Sequence, residues 1–490
     1  MDQEVRQLRN EFAQVIGKGA EMRLVRMLCL ILLFCLSSLL TPGANAQSRG
    51  PGALQTTGTQ VSGAKVVQPE TAAERSFLDA AGAAARRKDY KEVLEYFNKA
   101  VAVAPKSRIA ILERGLLYLN HLDNYEKAIA DFDKAAQLAP EDFRPVLNRG
   151  MAEYNLDRFA LAIKDATRSL ELLEKQENSQ APSNTGINAF RYKNAFNKRK
   201  SYALDLRASA YEQLNQYDQA LADLTLAINY DHQVPPEHPD WMCTRAHLLK
   251  EMGRIEESKK EYDSVVLHYP LLDDGWDGRG HACSKLLDFT SALADYDKAI
   301  SLKPDKACYY YDQAWAYKHL GQFDKALESF QLSIVRKPNH ANHFADLAEL
   351  EMAMGDPTTA RKHAQMSLDA AGKSAEPIYK LARAQGFSIL GQGNLALSEI
   401  VSVLGDATAD SETKADALAM RADMSKDKGD LAAALKDYDK AIELEPKEGV
   451  YYSKRAEIHK LNHEDDLANA DFDQAKLLKY VPITQEQKSH

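Results

Sequence analysis

A unit of 34 residues recurs through most of the chain, and a unit that short leaves few folds open. The copies 273–306, 307–340 and 341–374 follow one another in strict register, as do 415–448 and 449–482. The copy at 307 carries Tyr310, Ala314, Tyr317, Ala326, Phe330, Ser333 and Pro338 at positions 4, 8, 11, 20, 24, 27 and 32. The copy at 273 has Trp276, Gly280, Cys283, Ala292, Tyr296, Ala299 and Pro304 there, and the copy at 415 has Leu418, Ala422, Ser425, Ala434, Tyr438, Ala441 and Pro446. Positions 4, 8 and 11 share one face of a first helix, and 20, 24 and 27 share one face of a second. Small residues at 8 and 20 let the two backbones approach, and the aromatics fill the space beside them. Proline at 32 ends the second helix. A lone hairpin of this kind leaves an apolar face uncovered, so it must stack on the next copy.

This pattern resembles the tetratricopeptide repeat, a family with a 34-residue period. The resemblance covers about four fifths of the chain, in eleven copies starting near 74, 109, 143, 201, 239, 273, 307, 341, 377, 415 and 449. It implies an all-α fold: an α-solenoid, a right-handed superhelix of about eleven helical hairpins. Three copies form a first array over 71–176, an insertion follows at 177–200, and a second array of eight copies spans 201–482, with a weak copy at 377–410 and a tail at 483–490. The insertion opens polar and turns basic and aromatic (FRYKNAFNKRK). Its second half is expected to lengthen the next first helix. It reads either as a docking element for an acidic partner or as a solvated face.

The start of the chain reads as a targeting segment. Leu28–Leu40 is an uncharged apolar run of thirteen residues, preceded by Arg23 and Arg26 and followed by Ala44-Asn45-Ala46. This is the layout of a secretory signal peptide over 1–46, cut before Gln47. The run is short of the roughly 20 residues a spanning helix needs, although an uncleaved signal would leave an inner-membrane anchor. Residues 1–21 precede a better start at Met22, as an over-long start would. Residues 47–70 read as a disordered linker. The expected location is therefore the bacterial periplasm or the secreted space. Cys243, Cys283 and Cys308 remain after cleavage, an odd number that excludes a disulfide framework.

Charge argues against nucleic acid as a partner. The chain has 62 basic and 71 acidic residues, a net −9. Losing the signal leaves 57 against 67. A nucleic-acid binder shows the opposite balance.

One covariation runs through the copies. Position 7 is Arg at Arg149, Arg207, Arg245, Arg279, Arg383, Arg421 and Arg455. Sixteen residues later stand Asp165, Asp223, Glu261, Asp295, Glu399, Asp437 and Asp471. Arg114 and Asp131 repeat the pair one residue further apart. Where Ala80, Gln313 and Leu347 replace Arg, Tyr96, Ser329 and His363 replace the acid. The reading is a structural ion pair joining the two helices of each hairpin.

The sequence has no Gly-rich phosphate loop, G-x-S-x-G, H-E-x-x-H or Cys-x-x-Cys motif. Outside the copies no stretch is long enough for a catalytic domain. No catalytic residue, cofactor or metal is expected. Two i, i+4 pairs, Cys243 with His247 and Asp277 with His281, have metal-ligand chemistry. They are set aside because side chains on stacked copies are expected to stand too far apart for bonds near 2.0–2.3 Å.

The family resemblance implies a concave groove lined by first-helix positions 2, 5, 9 and 12. Position 5 gives Cys243, Asp277, Tyr311 and Ala345; position 9 gives His247, His281, Trp315 and Glu349; position 12 gives Lys250, Ser284, Lys318 and Met352. The partner-binding residues expected are His247, Asp277, His281, Tyr311, Trp315 and Lys318, with Tyr311 and Trp315 as exposed anchors. Chaperone-binding members carry a set of Lys, Asn and Arg residues over three successive copies. Here Asn148 stands at position 6 but Glu113 near position 5 of the copy before, so that clamp is not formed. The function expected is a non-enzymatic scaffold that binds a peptide or helix of another protein. The alternatives are an accessory subunit of an envelope hydrolase or transferase, and a structural spacer.

Overall fold

The computed structural model describes residues 71–180, 187–230 and 238–483. The expected signal peptide and linker lie outside the described residues. Contacts group the chain into two compact units, Met1–Met252 and Gly253–His490. Among the described residues, every regular element is a helix and none is long and apolar enough to cross a membrane.

In the first unit, α1 (Ala72–Arg86) pairs with α2 (Tyr90–Val103), α3 (Arg108–Asn120) with α4 (Tyr125–Leu138), and α5 (Phe143–Asn155) with α6 (Phe159–Gln180). Next come α7 (Ile187–Gln213) with α8 (Tyr217–Tyr230), then α9 (Pro239–Glu251). The second unit opens with α10 (Ile255–His268). It continues with the hairpins α11 (Asp273–Lys285) and α12 (Phe289–Leu302), α13 (Ala307–His319) and α14 (Phe323–Arg336), and α15 (Ala341–Met354) and α16 (Pro357–Ala371). The last three hairpins are α17 (Pro377–Ile389) with α18 (Gly393–Leu404), α19 (Ser411–Asp427) with α20 (Leu431–Leu444), and α21 (Gly449–Leu461) with α22 (Asp465–Leu477).

The turn inside each hairpin has one fixed demand. Position 15 takes positive φ in all eleven copies, at Lys88, Asp123, Asp157, Asn215, Gly253, Leu287, Gly321, Gly355, Gly391, Gly429 and His463. Glycine meets that demand without a Cβ penalty, and Asn or Asp meets it at low cost. Leu287 has neither advantage and keeps φ at 61°. One residue on, an Asp caps several second helices: Asp89 accepts from the Glu92 amide and Asp288 from the Ser291 amide.

Between hairpins, the position-4 aromatic is tied to the proline that ended the copy before. Trp276 Nε1 donates to the Pro270 carbonyl at 3.0 Å, Tyr310 Oη to Pro304 at 3.1 Å and Tyr452 Oη to Pro446 at 3.2 Å. Inside each hairpin the residues at 20 and 27, Ala in most copies and Val or Ser in the others, are buried, and so are the ring residues Phe132, Tyr296, Phe330 and Tyr438. The core is thus a series of small clusters, each finished by the next copy. Ala422, Ala434, Tyr438 and Ala441, for example, pack with Tyr451 and Ile458 of the following hairpin.

The arginine at position 7 holds both levels of this assembly. Arg279 Nε and Nη2 reach the two carboxylate oxygens of Asp295 at 2.9 and 2.6 Å. The same two-point bond joins Arg114 to Asp131, Arg149 to Asp165, Arg207 to Asp223, Arg383 to Glu399, Arg421 to Asp437 and Arg455 to Asp471. Arg245 and Glu261 fall one in each unit. The remaining nitrogen, Nη1, turns backwards to position 25 of the preceding copy. It meets Asp133 from Arg149 (2.5 Å), Asp263 from Arg279 (3.2 Å) and Asp439 from Arg455 (2.7 Å). Asn98 and Thr167 accept in the same way from Arg114 and Arg207. One guanidinium therefore bonds three helices. Where Gln313 replaces Arg, the layout survives in neutral form: Gln313 Nε2 donates to Asp297 at 2.7 Å and Ser329 Oγ to Gln313 Oε1 at 2.8 Å.

The second half of the insertion is helical, residues 187–200 forming the start of α7. Part of its aromatic and basic surface is spent within the chain, while Phe190, Arg191 and Lys193 are exposed. Tyr192 Oη donates to the Glu177 carbonyl at 3.0 Å, Phe196 is buried, and Lys200 pairs with Glu177.

The tightness of the hairpin gives a direct test. A Cβ added at Gly280 would lie 2.6 Å from Tyr296 Cε1, and the ring is sealed in the core. Gly280→Ala should therefore cost about 1–3 kcal/mol by overpacking, although Ala314 fills the same position one copy later. Urea unfolding of the two proteins checks this, and an unchanged midpoint would contradict the packing described.

Candidate functional site

Side chains far apart in sequence meet within the second unit. Lys285, at the end of α11, bonds Glu412 in α19 at 2.9 Å. Lys479, just past α22, donates to the Leu287 carbonyl at 2.8 Å. Ile483 packs on the cluster that holds Ala314 and Phe323, and Val481 lies against Gly321. A row of stacked hairpins can touch itself only by curving. The groups that meet belong mainly to first helices and to the turns that follow them, so the first helices line the inside of the curve. Residues 479–483 rest on its rim.

Tyr311 and Trp315, expected as exposed anchors, are only half-exposed. Tyr311 stacks on His343 with ring centroids 4.4 Å apart, and its hydroxyl donates to Asp346 Oδ2 at 2.5 Å. Trp315 meets the Phe330 ring edge-on at 6.3 Å, and Lys318 Nζ sits over it at 4.1 Å. The physical reason is the close stacking of copies: one repeat step is short enough for the next first helix to cover a large ring. Lys318 is likewise engaged. Burial disfavours its charge, but Glu349, Asp346 and Glu448 outweigh that and raise its pKa. Asp277 and His281 come together, His281 Nε2 lying 3.7 Å from Asp277 Oδ2. His247 belongs to the first unit, 3.9 Å from both Glu212 and Glu251.

The inner surface is richer in carboxylates than the stripe predicts. Asp312 and Asp346 stand at position 6, beside the stripe, and Asp416 stands at position 2. Asp312 Oδ2 is 3.4 Å from His281 Nε2. Asp416 Oδ1 accepts from Tyr451 Oη at 2.6 Å. Three of these acids are held well above the ordinary carboxylate range. Burial, partly offset by His281 but aided by Asp312, pushes Asp277 up to about 7. Burial, against the Tyr311 hydrogen bond, pushes Asp346 up to about 6. Burial pushes Asp416 up to about 8, with Glu412, Glu349 and Glu448 adding to it and the Tyr451 bond opposing it. The site is a concave surface short of positive charge, at which a proton, a cation or a basic side chain is favoured.

That shortage sets a pH dependence. A carboxyl whose folded pKa lies above its unfolded value binds an extra proton in the folded state, so its stabilising contribution is lost as pH rises through the folded value. For Asp416 and Asp277 the loss runs from about pH 4, where the unfolded carboxyl ionises, up to about pH 8 and about pH 7 respectively, and levels off above. The melting temperature should fall across that interval, and Asp416→Asn, which keeps an acceptor for Tyr451, should make the fall shallower. A profile identical in the two proteins would contradict the burial of this acid.

Models of the tetratricopeptide repeat match residues 78–143, 201–233, 274–306, 295–328 and 415–448. No curated protein matches the chain. Several solved structures are similar at low identity. The APC/C hetero-tetramer Cut9–Hcn1 is 12% identical over 85% of this chain and 95% of that one, with a TM-score of 0.42. Yeast Tom70 is 14% identical over 82% of this chain and 96% of that one, with a TM-score of 0.37. YrrB, described as a TPR protein with an unusual peptide-binding site, is 17% identical over 43% of this chain and 93% of that one, with a TM-score of 0.32. With its eleven helical-hairpin copies, the chain belongs to the tetratricopeptide repeat family.

Proposed function

We propose that this chain is a non-enzymatic protein–protein interaction scaffold, exported to the envelope or secreted space, whose second-unit groove receives a basic peptide or helical segment of a partner protein. The observation that carries the reading is the set of first-helix carboxylates, Asp277, Asp346 and Asp416, kept above their ordinary range by burial and, at each site, by a neighbouring acid. Lys or Arg side chains entering the groove supply the missing positive charge, and half-exposed Tyr311 and Trp315 offer apolar area beside them. Glu349, exposed at position 9, stands where such a side chain would arrive. An acidic partner segment would meet like charge. Export rests on the basic, apolar and small-residue layout of residues 23–46.

The test uses the full chain expressed with its leader and recovered from the envelope fraction, where Gln47 is the expected first residue. A labelled Lys/Ala peptide and its Glu/Ala counterpart are titrated by fluorescence anisotropy at low and high salt. The Lys/Ala peptide should bind, and binding should weaken as salt rises. Asp346→Asn combined with Glu349→Gln should weaken it by about tenfold, the size expected for losing one buried and one exposed charge. Preference for the acidic peptide, or binding indifferent to both substitutions, would overturn the groove assignment. A leader found intact in the cytoplasm would overturn the location.

A further inference from the structure

We propose that Asp277, His281 and Asp312 form a binding site for a divalent transition-metal cation of the zinc class. Asp277 and His281 are four residues apart on α11, which puts them on one face a turn apart. The next first helix, α13, brings Asp312 beside them. One ligand atom from each of the three side chains lies within 4.8 Å of the other two. His281 Nε2 is 3.4 Å from Asp312 Oδ2 and 3.7 Å from Asp277 Oδ2. Around a tetrahedral zinc with bonds near 2.0–2.2 Å, neighbouring ligand atoms are about 3.4 Å apart. Ligand separations of this size need only small rotamer adjustments to close on an ion.

A second observation points the same way. Asp277 Oδ1 is sealed from solvent and has no hydrogen-bond partner. A buried carboxylate oxygen left so is costly unless something compensates its charge. The lysine that faces this region from the start of α13, Lys306, is committed elsewhere, bonding Asp274 at 2.7 Å and Asp273 at 3.3 Å. Two carboxylates and one imidazole then balance a doubly charged cation. The donor set selects among cations. Imidazole suits zinc and its neighbours, whereas calcium and magnesium favour all-oxygen shells of six or more ligands. Three protein ligands leave a position for water. The Tyr296 ring meets His281 edge-on at 5.8 Å and limits how the imidazole can turn. Cys283, two residues past His281 in the same helix, is no ligand, since it faces the hairpin core and is buried there with Ala292 and Tyr296. Cys243 and His247 lie in the first unit, so the site is built without them.

The site stands independently of the basic-peptide reading, because it needs no partner. The untagged full chain, treated with chelator and dialysed, is titrated with Zn²⁺ by calorimetry and with Co²⁺ by visible absorption. One ion per chain is expected, with cobalt giving the intense bands of low coordination number. Asp312→Asn preserves size and should weaken Zn²⁺ binding at least tenfold, and His281→Ala should do so more strongly. Circular dichroism and the urea midpoint of each variant separate lost ligation from lost folding. No uptake by the wild-type chain, or zinc binding unchanged in both folded variants, would overturn the proposal.

Discussion

The arginine at position 7 is the interaction on which the rest depends. Seven such residues make two-point bonds to a carboxylate on their own hairpin's second helix, buried in six of the seven. Several spend a further nitrogen on the second helix of the copy before. Apolar packing alone fixes neither the slide of one helix along its partner nor the step from copy to copy, because alanines and rings tolerate small shifts. A planar guanidinium gripping a planar carboxylate does not. The two contacts differ in weight. Asp295 keeps 4% of its side-chain surface exposed and Asp263 keeps 44%, so the bond within the hairpin is the strong one and the bond between hairpins is water-screened.

The character of the groove follows from this arrangement. With position 7 turned towards the second helices, the stripe at positions 2, 5, 9 and 12 is left on the inner side. Curvature brings that side together, and acids from different copies come within reach of one another. Burial first, and repulsion from neighbouring acids second, hold Asp277, Asp346 and Asp416 above the normal range. A surface that already favours protonation is prepared for a positively charged visitor, and the residues that hold it need do no chemistry.

Much of the architecture was legible in the sequence. The 34-residue period and the loss of the acid wherever the arginine is lost are comparisons of a chain with itself, and need no outside reference. The backward bond to position 25 was not legible, because its acceptor belongs to the previous copy. In Asp131-Phe132-Asp133 or Asp437-Tyr438-Asp439 the second acid reads as one more solvated charge. The left-handed residue at position 15 was hidden for a similar reason: Gly, Asn and Asp announce it, but Leu287 and Lys88 do not. At the groove, the stripe identified Asp277 and His281 but passed over Asp312 and Asp346, one position aside. The engagement of Tyr311 with His343 and Asp346 depends on how far one copy is rotated against the next. The contact of Ile483 with a cluster more than a hundred residues away depends on curvature summed over several copies. Helical spacing within one copy carries neither quantity.

A double-mutant cycle between Arg279 and Asp295, run beside one between Arg279 and Asp263, tests the central claim most directly. Arg279→Gln, Asp295→Asn and Asp263→Asn, singly and in pairs, are unfolded in urea. The account predicts a coupling of about 2–3 kcal/mol for Arg279 with Asp295, near the upper end for residues sharing one buried contact, and under about 1 kcal/mol for Arg279 with the more exposed Asp263. A coupling below about 0.5 kcal/mol for Arg279 with Asp295 would mean that the hairpins are held by apolar packing alone.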